Sequence, residues 1–349
     1  MALRSGGAEL FNLAPEPLVM AVESAVKTPW PASKQELEQV QAFNKKLAWL
    51  PRFKMRNRFT PRLVQALLHM SQIGSGRQLR KQGLKAETKV ITAGEVSVPV
   101  RIIRPQGKAK GVVLDFHGGG WVIGNAQMND KFNIPMVKEC EVTVVSVDYR
   151  LALPAPIDAL IEDCLGAARW LLSNEDSEFA DLPVIVVGES AGAHLAAATL
   201  LRLKESPALS ERVTGALLYY GVYDLTGTPS VRTAPPETLV LDGPGMVEAL
   251  RMLTPELSDQ QRMAPPLSPL HGDFTHFPPA LMFVGELDPL IDDTLNLADK
   301  WSASAAVELQ LLPSSPHGFI HFPTQLASNV LMYARKWINA QNEDFHRNT

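Results

Sequence analysis

An α/β protein built on a mostly parallel, eight-stranded sheet is predicted by three observations. Short, nearly unbroken apolar runs recur along most of the chain, helical stretches separate them, and a two-strand pattern around a turn glycine precedes them. Runs without polar alternation fit strands covered on both faces, and intervening helices fit parallel crossovers.

The elements follow in order. Residues 1–85 read as amphipathic helices with polar interruptions. KVITA and VSVPVRIIR, either side of Gly94, read as an antiparallel hairpin at a sheet edge. Six further strands are predicted at GVVLDFH (111–117), EVTVVSVDY (141–149), VIVVGE (184–189), VTGALLYYG (213–221), PALMFVGE (279–286) and VELQLLP (307–313). Helices are expected near 129–140, 155–173 and 191–204. Between Asp224 and Pro279 the rhythm breaks in a stretch too long for a connection and too Pro-rich for a strand, with one helix around MVEALRML. The predicted organisation is an N-terminal helical cap segment (1–85), a first core part (86–224), an inserted cap segment (225–278) and a second core part (279–349).

Composition narrows the function classes. A chain of 349 residues that is 46% hydrophobic can bury a large core. Its net charge of −4 gives no general reason to expect a polyanion partner. The local basic cluster KMRNRFTPR (Lys54 to Arg62) reads as a solvated helical face, so no nucleic-acid partner is predicted. Two cysteines, Cys140 and Cys164, allow one disulfide by count, but a chain of this size does not need it. No CxxC or HExxH spacing appears, so no metal site is expected. The N-terminus is broken by Glu9, Pro15, Glu16 and Pro17 and is a poor signal peptide, and no apolar run is long enough for a membrane span. The expected location is cytoplasmic.

The chemistry centres on VVGESAGAHLAA (Val186 to Ala197), where an apolar strand meets an Ala-rich helix across Gly188-Glu189-Ser190-Ala191-Gly192. A serine on so tight a turn lifts its hydroxyl clear of the backbone and tolerates only small neighbours, while the helix N-terminus points its dipole at the same spot. A serine hydroxyl is a weak nucleophile near neutral pH. It needs a base, and the base needs an acid to orient it. Asp288 follows the strand PALMFVGE and His317 follows VELQLLP, which brings both to the sheet edge that carries Ser190. Asp292 and Asp293 read as first-turn helix residues, and His194 as a packing or surface residue. The loop DFHGGGWVIGN (Asp115 to Asn125) supplies glycines whose N–H groups no side chain obstructs. Gly118, Gly119 and Ala191 are the expected oxyanion donors, His117 a loop-holding hydrogen bonder, and Gly120 and Trp121 substrate-pocket residues.

HGGGW (His117 to Trp121), DYRLA (Asp148 to Ala152), GESAG (188–192), DPL (Asp288 to Leu290) and HGF (His317 to Phe319), in that order, resemble the hormone-sensitive-lipase-like esterases of the α/β-hydrolase fold across roughly residues 85–340. The resemblance implies a carboxylesterase of short-chain acyl esters working through an acyl-enzyme. It implies the triad Ser190, Asp288 and His317, no cofactor, a small-molecule ester substrate, a cap from the N-terminal and inserted segments, and a homodimer as one open oligomeric state. An amidase or deacetylase with the same triad, and a non-catalytic ligand-binding member, are the alternatives. One departure stands out: the family usually follows DYRLA with Pro-Glu, whereas this chain reads DYRLALPAPIDA.

Overall fold

Val- and Ile-rich runs that lack polar alternation become strands with both faces buried, and here they stack into one sheet. The computed structural model describes residues 26–54, 59–152, 154–173 and 178–348. Its strands are β1 (Val26–Pro29), β2 (Ala86–Ala93), β3 (Val96–Ile103), β4 (Gly111–Phe116), β5 (Val142–Val147), β6 (Val184–Glu189), β7 (Val213–Tyr219), β8 (Ala280–Gly285) and β9 (Val307–Leu312). Their order is β1-β9-β8-β7-β6-β4-β5-β3-β2. The β2–β3 hairpin turns at Gly94 (φ 62°) and is antiparallel, as is β3 against β5; the other neighbours are parallel.

Among the described residues the sheet therefore has nine strands where the sequence predicts eight. The addition is β1, inside the 1–85 segment expected to be helical, and it pairs with β9 from Val26↔Glu308 to Pro29↔Leu311. VKTP is too short and too polar to announce a strand. At the sheet edge, half of its backbone groups need no partner and the missing Pro29 N–H is tolerated.

Helices Ile157–Ser173 and Ala191–Leu203 pack together on one face, and Asp130–Glu139 and Gln325–Asn348 on the other. The Ala-rich sequence of Ala191–Leu203 lets it sit very close to the sheet. A Cβ on Gly192 would lie 2.0 Å from the Phe116 carbonyl oxygen. Cys140 and Cys164 are both buried free thiols. Among the described residues no helix is long and apolar enough to cross a membrane. The N-terminal stretch read against a signal peptide lies outside the described residues, except for Val26.

The 225–278 stretch carries the expected helix at Met246–Leu253. Its start is fastened by Asp292 and Asp293, read from sequence as first-turn helix residues. They are first-turn residues of Ile291–Trp301, and they also do more. The buried Asp293 carboxylate accepts the N–H groups of Tyr223 and Asp224 and the Thr228 hydroxyl, and Asp292 accepts the Ser230 N–H. Burial pushes the Asp293 carboxyl up to about 7.

Candidate active site

β6 ends at the centre of the sheet, and the chain reverses into the helix Ala191–Leu203 within one residue. Ser190 makes that turn at φ 54°, ψ −121°, a conformation that costs a non-glycine residue on the order of 1–3 kcal/mol. The surrounding structure over-determines it. Ser190 N–H donates to Tyr219 O at 2.9 Å, and Ser190 O accepts Ala193 N–H at 3.0 Å and His194 N–H at 3.2 Å. The glycines on either side are steric necessities: a Cβ on Gly188 would lie 2.4 Å from Gly192 O.

The carboxyl ends of β8 and β9 deliver the two partners. His317 Nδ1 lies 2.8 Å from Asp288 Oδ2 and donates to it, which leaves Nε2 bare to accept the Ser190 hydroxyl at 2.9 Å. Asp288 also accepts Leu290 N–H at 2.9 Å, and both Asp288 and His317 are buried. Burial alone would lower the His317 imidazole, but the Asp288 carboxylate, by charge and hydrogen bond, together with Glu189, raises it above its ordinary value. The structure thus brings Ser190, Asp288 and His317 into one hydrogen-bonded chain.

The glycine loop after β4 lies beside them, with one change from expectation. Gly118 N–H, expected as an oxyanion donor, already donates to Glu189 Oε1 at 2.9 Å. It is not free for a substrate oxygen. Gly119 (φ 108°) and Gly120 (φ 58°) take left-handed conformations, and among the described residues neither N–H has a protein acceptor. Ala191 N–H opens the first helical turn, where no intrahelical partner exists. The donor set the geometry offers is therefore Gly119, Gly120 and Ala191. The sequence shows where the backbone is unobstructed, but not which N–H a neighbouring carboxylate takes.

Glu189 is the residue that sequence reasoning passed over. Its carboxylate is buried, holds Gly118, and lies 3.6 Å from His321 Nε2. Burial favours its neutral form, but His321, His317 and the Gly118 N–H together hold its pKa below the usual value. DYRLA proves to be a clamp on the glycine loop. Tyr149 Oη donates to His117 O at 2.6 Å, Asp148 accepts Ala126 N–H, and Ala152 N–H donates to Trp121 O. Arg150 anchors the clamp through a bidentate pair with Asp163. Leu153, where the chain departs from the family pattern, lies outside the described residues. His117 donates from Nδ1 to Gly118 O at 2.7 Å, a loop-holding bond. His194 is fully buried, accepts Trp121 Nε1–H at 3.1 Å and donates to Leu267 O, while burial lowers its pKa to about 4. A neutral imidazole there fixes Trp121 against the elbow helix.

Ser190 and His317 open into a cavity of about 560 Å³ that Gly120 and Trp121 also line. Its other walls are mostly apolar, with Phe53, Leu241, Met246, Met252 and Leu253 among them. Phe53 is tied to the 225–278 stretch by backbone bonds, Phe53 N–H to Val240 O and Asp242 N–H to Phe53 O, and Lys54 pairs with Asp242 at 3.2 Å.

Known proteins share this plan. A family model described as alpha/beta hydrolase fold matches residues 113–321. The carboxylic ester hydrolase LipN of Mycobacterium tuberculosis is 33% identical over 240 residues, which span 66% of this chain and 62% of that protein. Among solved structures, an esterase of Pyrobaculum calidifontis is 25% identical at a TM-score of 0.72, covering 86% of this chain and 97% of that one. Esterase LipW of Mycobacterium marinum aligns at a TM-score of 0.76 with 24% identity, covering 87% of this chain and 97% of that one, and so speaks to the fold. With the family model covering more than half its length, the chain belongs to the hormone-sensitive-lipase-like family of the α/β-hydrolase fold.

Proposed function

We propose that the protein is a serine carboxylesterase acting on short-chain acyl esters of small molecules. The observation that carries this reading is the hydrogen-bonded chain Ser190 Oγ–His317 Nε2 and His317 Nδ1–Asp288 Oδ2, at 2.9 and 2.8 Å. Ser190 attacks the ester carbonyl as His317 takes its proton, and Asp288 holds the imidazole tautomer and stabilises the imidazolium. The N–H groups of Gly119, Gly120 and Ala191 receive the developing oxyanion. The alcohol leaves with the proton from His317, and water then repeats the attack on the acyl-enzyme. Residues 225–278, with Phe53 and Lys54 from the 1–85 segment, act as the cap over the cavity.

The walls set the expected substrate trend. Each acyl methylene buried is worth about 0.8 kcal/mol, or roughly fourfold in kcat/KM. Aryl butyrate should therefore exceed aryl acetate by about fifteenfold, with an aryl amide of the same acyl group turned over far more slowly. Equal rates for ester and amide would favour the amidase alternative. No turnover of any ester in the series would remove the reading.

Glu189 supplies a second expectation. Glu189→Gln keeps an acceptor for Gly118 N–H but loses the charge that faces His317. It should lower kcat about tenfold with KM little changed and move the acid limb of kcat/KM to lower pH, because that charge helps raise His317. Glu189→Ala also strands a buried donor, an additional ~1–3 kcal/mol, and should be worse. A pH profile of Glu189→Gln identical to that of the parent would remove Glu189 from the account.

A further inference from the structure

The helix Phe59–Ser71 is mounted with its apolar side outward. Gln65 and Gln72, seven residues apart and so on one face, hold it to the body. Gln65 donates to Gly124 O and accepts Gly124 N–H, both at 2.8 Å, and Gln72 exchanges two bonds with the Asn125 side chain. Leu63, Leu67 and Met70 share the opposite face and are 65%, 56% and 65% exposed. Ile73, just beyond the helix, is 81% exposed. An amphipathic helix on a protein in water turns this face inward. Of the eleven large apolar side chains that stand exposed among the described residues, seven fall between Trp49 and Ile73. That concentration marks an interaction surface.

Charge identifies the occupant. From Gln39 to Ala86 the sequence holds eleven Lys and Arg and no Asp or Glu, in a chain whose net charge is −4. The remainder of the sequence is therefore acidic. Exposed aliphatic side chains in a segment whose charges are all cationic suit an anionic lipid surface, where Leu and Met enter the acyl boundary and Lys and Arg meet the headgroups. A nucleic acid would meet the cations but leave the aliphatic face in water. A second copy would set like charge against like.

We propose that the Leu63–Leu67–Met70 face, with basic residues of the same segment, docks the protein on an anionic lipid surface. Phe53 and Lys54, which precede the helix in the sequence, line the cavity. The proposal does not rest on the hydrolytic reading, because its readout is binding.

The test is co-sedimentation of the full chain with phosphatidylcholine vesicles, with and without phosphatidylserine. Binding is expected to the mixed vesicles, to weaken with salt, and to be about tenfold or more weaker on phosphatidylcholine alone. Leu63→Ser, Leu67→Ser and Met70→Ser together should reduce it by at least about tenfold. Thermal unfolding should match the parent, because these side chains face solvent. Arg62→Glu with Arg77→Glu should weaken it similarly. Any one of three results overturns the proposal: no binding by the parent chain, equal binding to both vesicle types, or undiminished binding by the triple serine variant. So does self-association that the triple variant abolishes, which assigns the face to a second copy. Capture of an RNA oligonucleotide in place of vesicles assigns it to nucleic acid, with the same consequence.

Discussion

Ser190→Ala, and separately His317→Ala, should lower kcat/KM toward a short-chain aryl ester by about four to six orders of magnitude while the protein stays folded. The size follows from what each change removes. Without the hydroxyl no acyl-enzyme forms, and without the imidazole the hydroxyl keeps its proton and is a poor nucleophile. The two losses are not additive, because both residues act in one step. The double variant should fall no further than either single one. The proposed Gly119, Gly120 and Ala191 N–H donors and the cavity, which these substitutions do not touch, should account for what survives. Folding should persist, since Ser190 is held by backbone bonds to Tyr219, Ala193 and His194 rather than through its side chain. A folded variant retaining near-parent turnover would show that the hydrogen-bonded chain is not the reacting one.

Asp288→Asn comes next, with an expected loss of about ten-thousand-fold. An amide at this position can donate to His317 Nδ1, which places the ring proton on Nε2, facing Ser190, where a bare nitrogen is needed. The pH profile carries a second signature. His317 must be neutral to act as base, so activity rises with pH through its pKa, which Asp288 and Glu189 raise above the ordinary histidine value. Removing the Asp288 charge lowers that pKa, so the acid limb of the residual activity moves to lower pH. A shift in the other direction, or none, would contradict the assigned role.

The sequence made the centre of the molecule legible and the periphery less so. Ser190, Asp288 and His317 were legible as candidates because each follows a strand within five residues, and parallel topology sends those strand ends to one edge. The helix Met246–Leu253 was visible for the same reason, as a periodic segment between Pro-rich flanks. β1 escaped because an edge strand borrows its partner from β9, and four residues carry no period of their own. That the Gly118 N–H is taken by Glu189 was not legible, because that bond joins residues 71 apart. Asp293 looked like a helix-start residue because it is one. That it also gathers Tyr223, Asp224 and Thr228 is a tertiary fact. Tyr149 and Asp148 are legible as a motif, but their role lies in tertiary bonds to His117 O and Ala126 N–H.

A serine-directed fluorophosphonate, followed by intact mass and peptide mapping, addresses the central claim most directly. The account predicts one equivalent added, on Ser190, with loss of ester hydrolysis in parallel and labelling greatly slowed in His317→Ala. Full turnover with Ser190 unlabelled, or stoichiometric addition at another residue accompanied by inactivation, would contradict it.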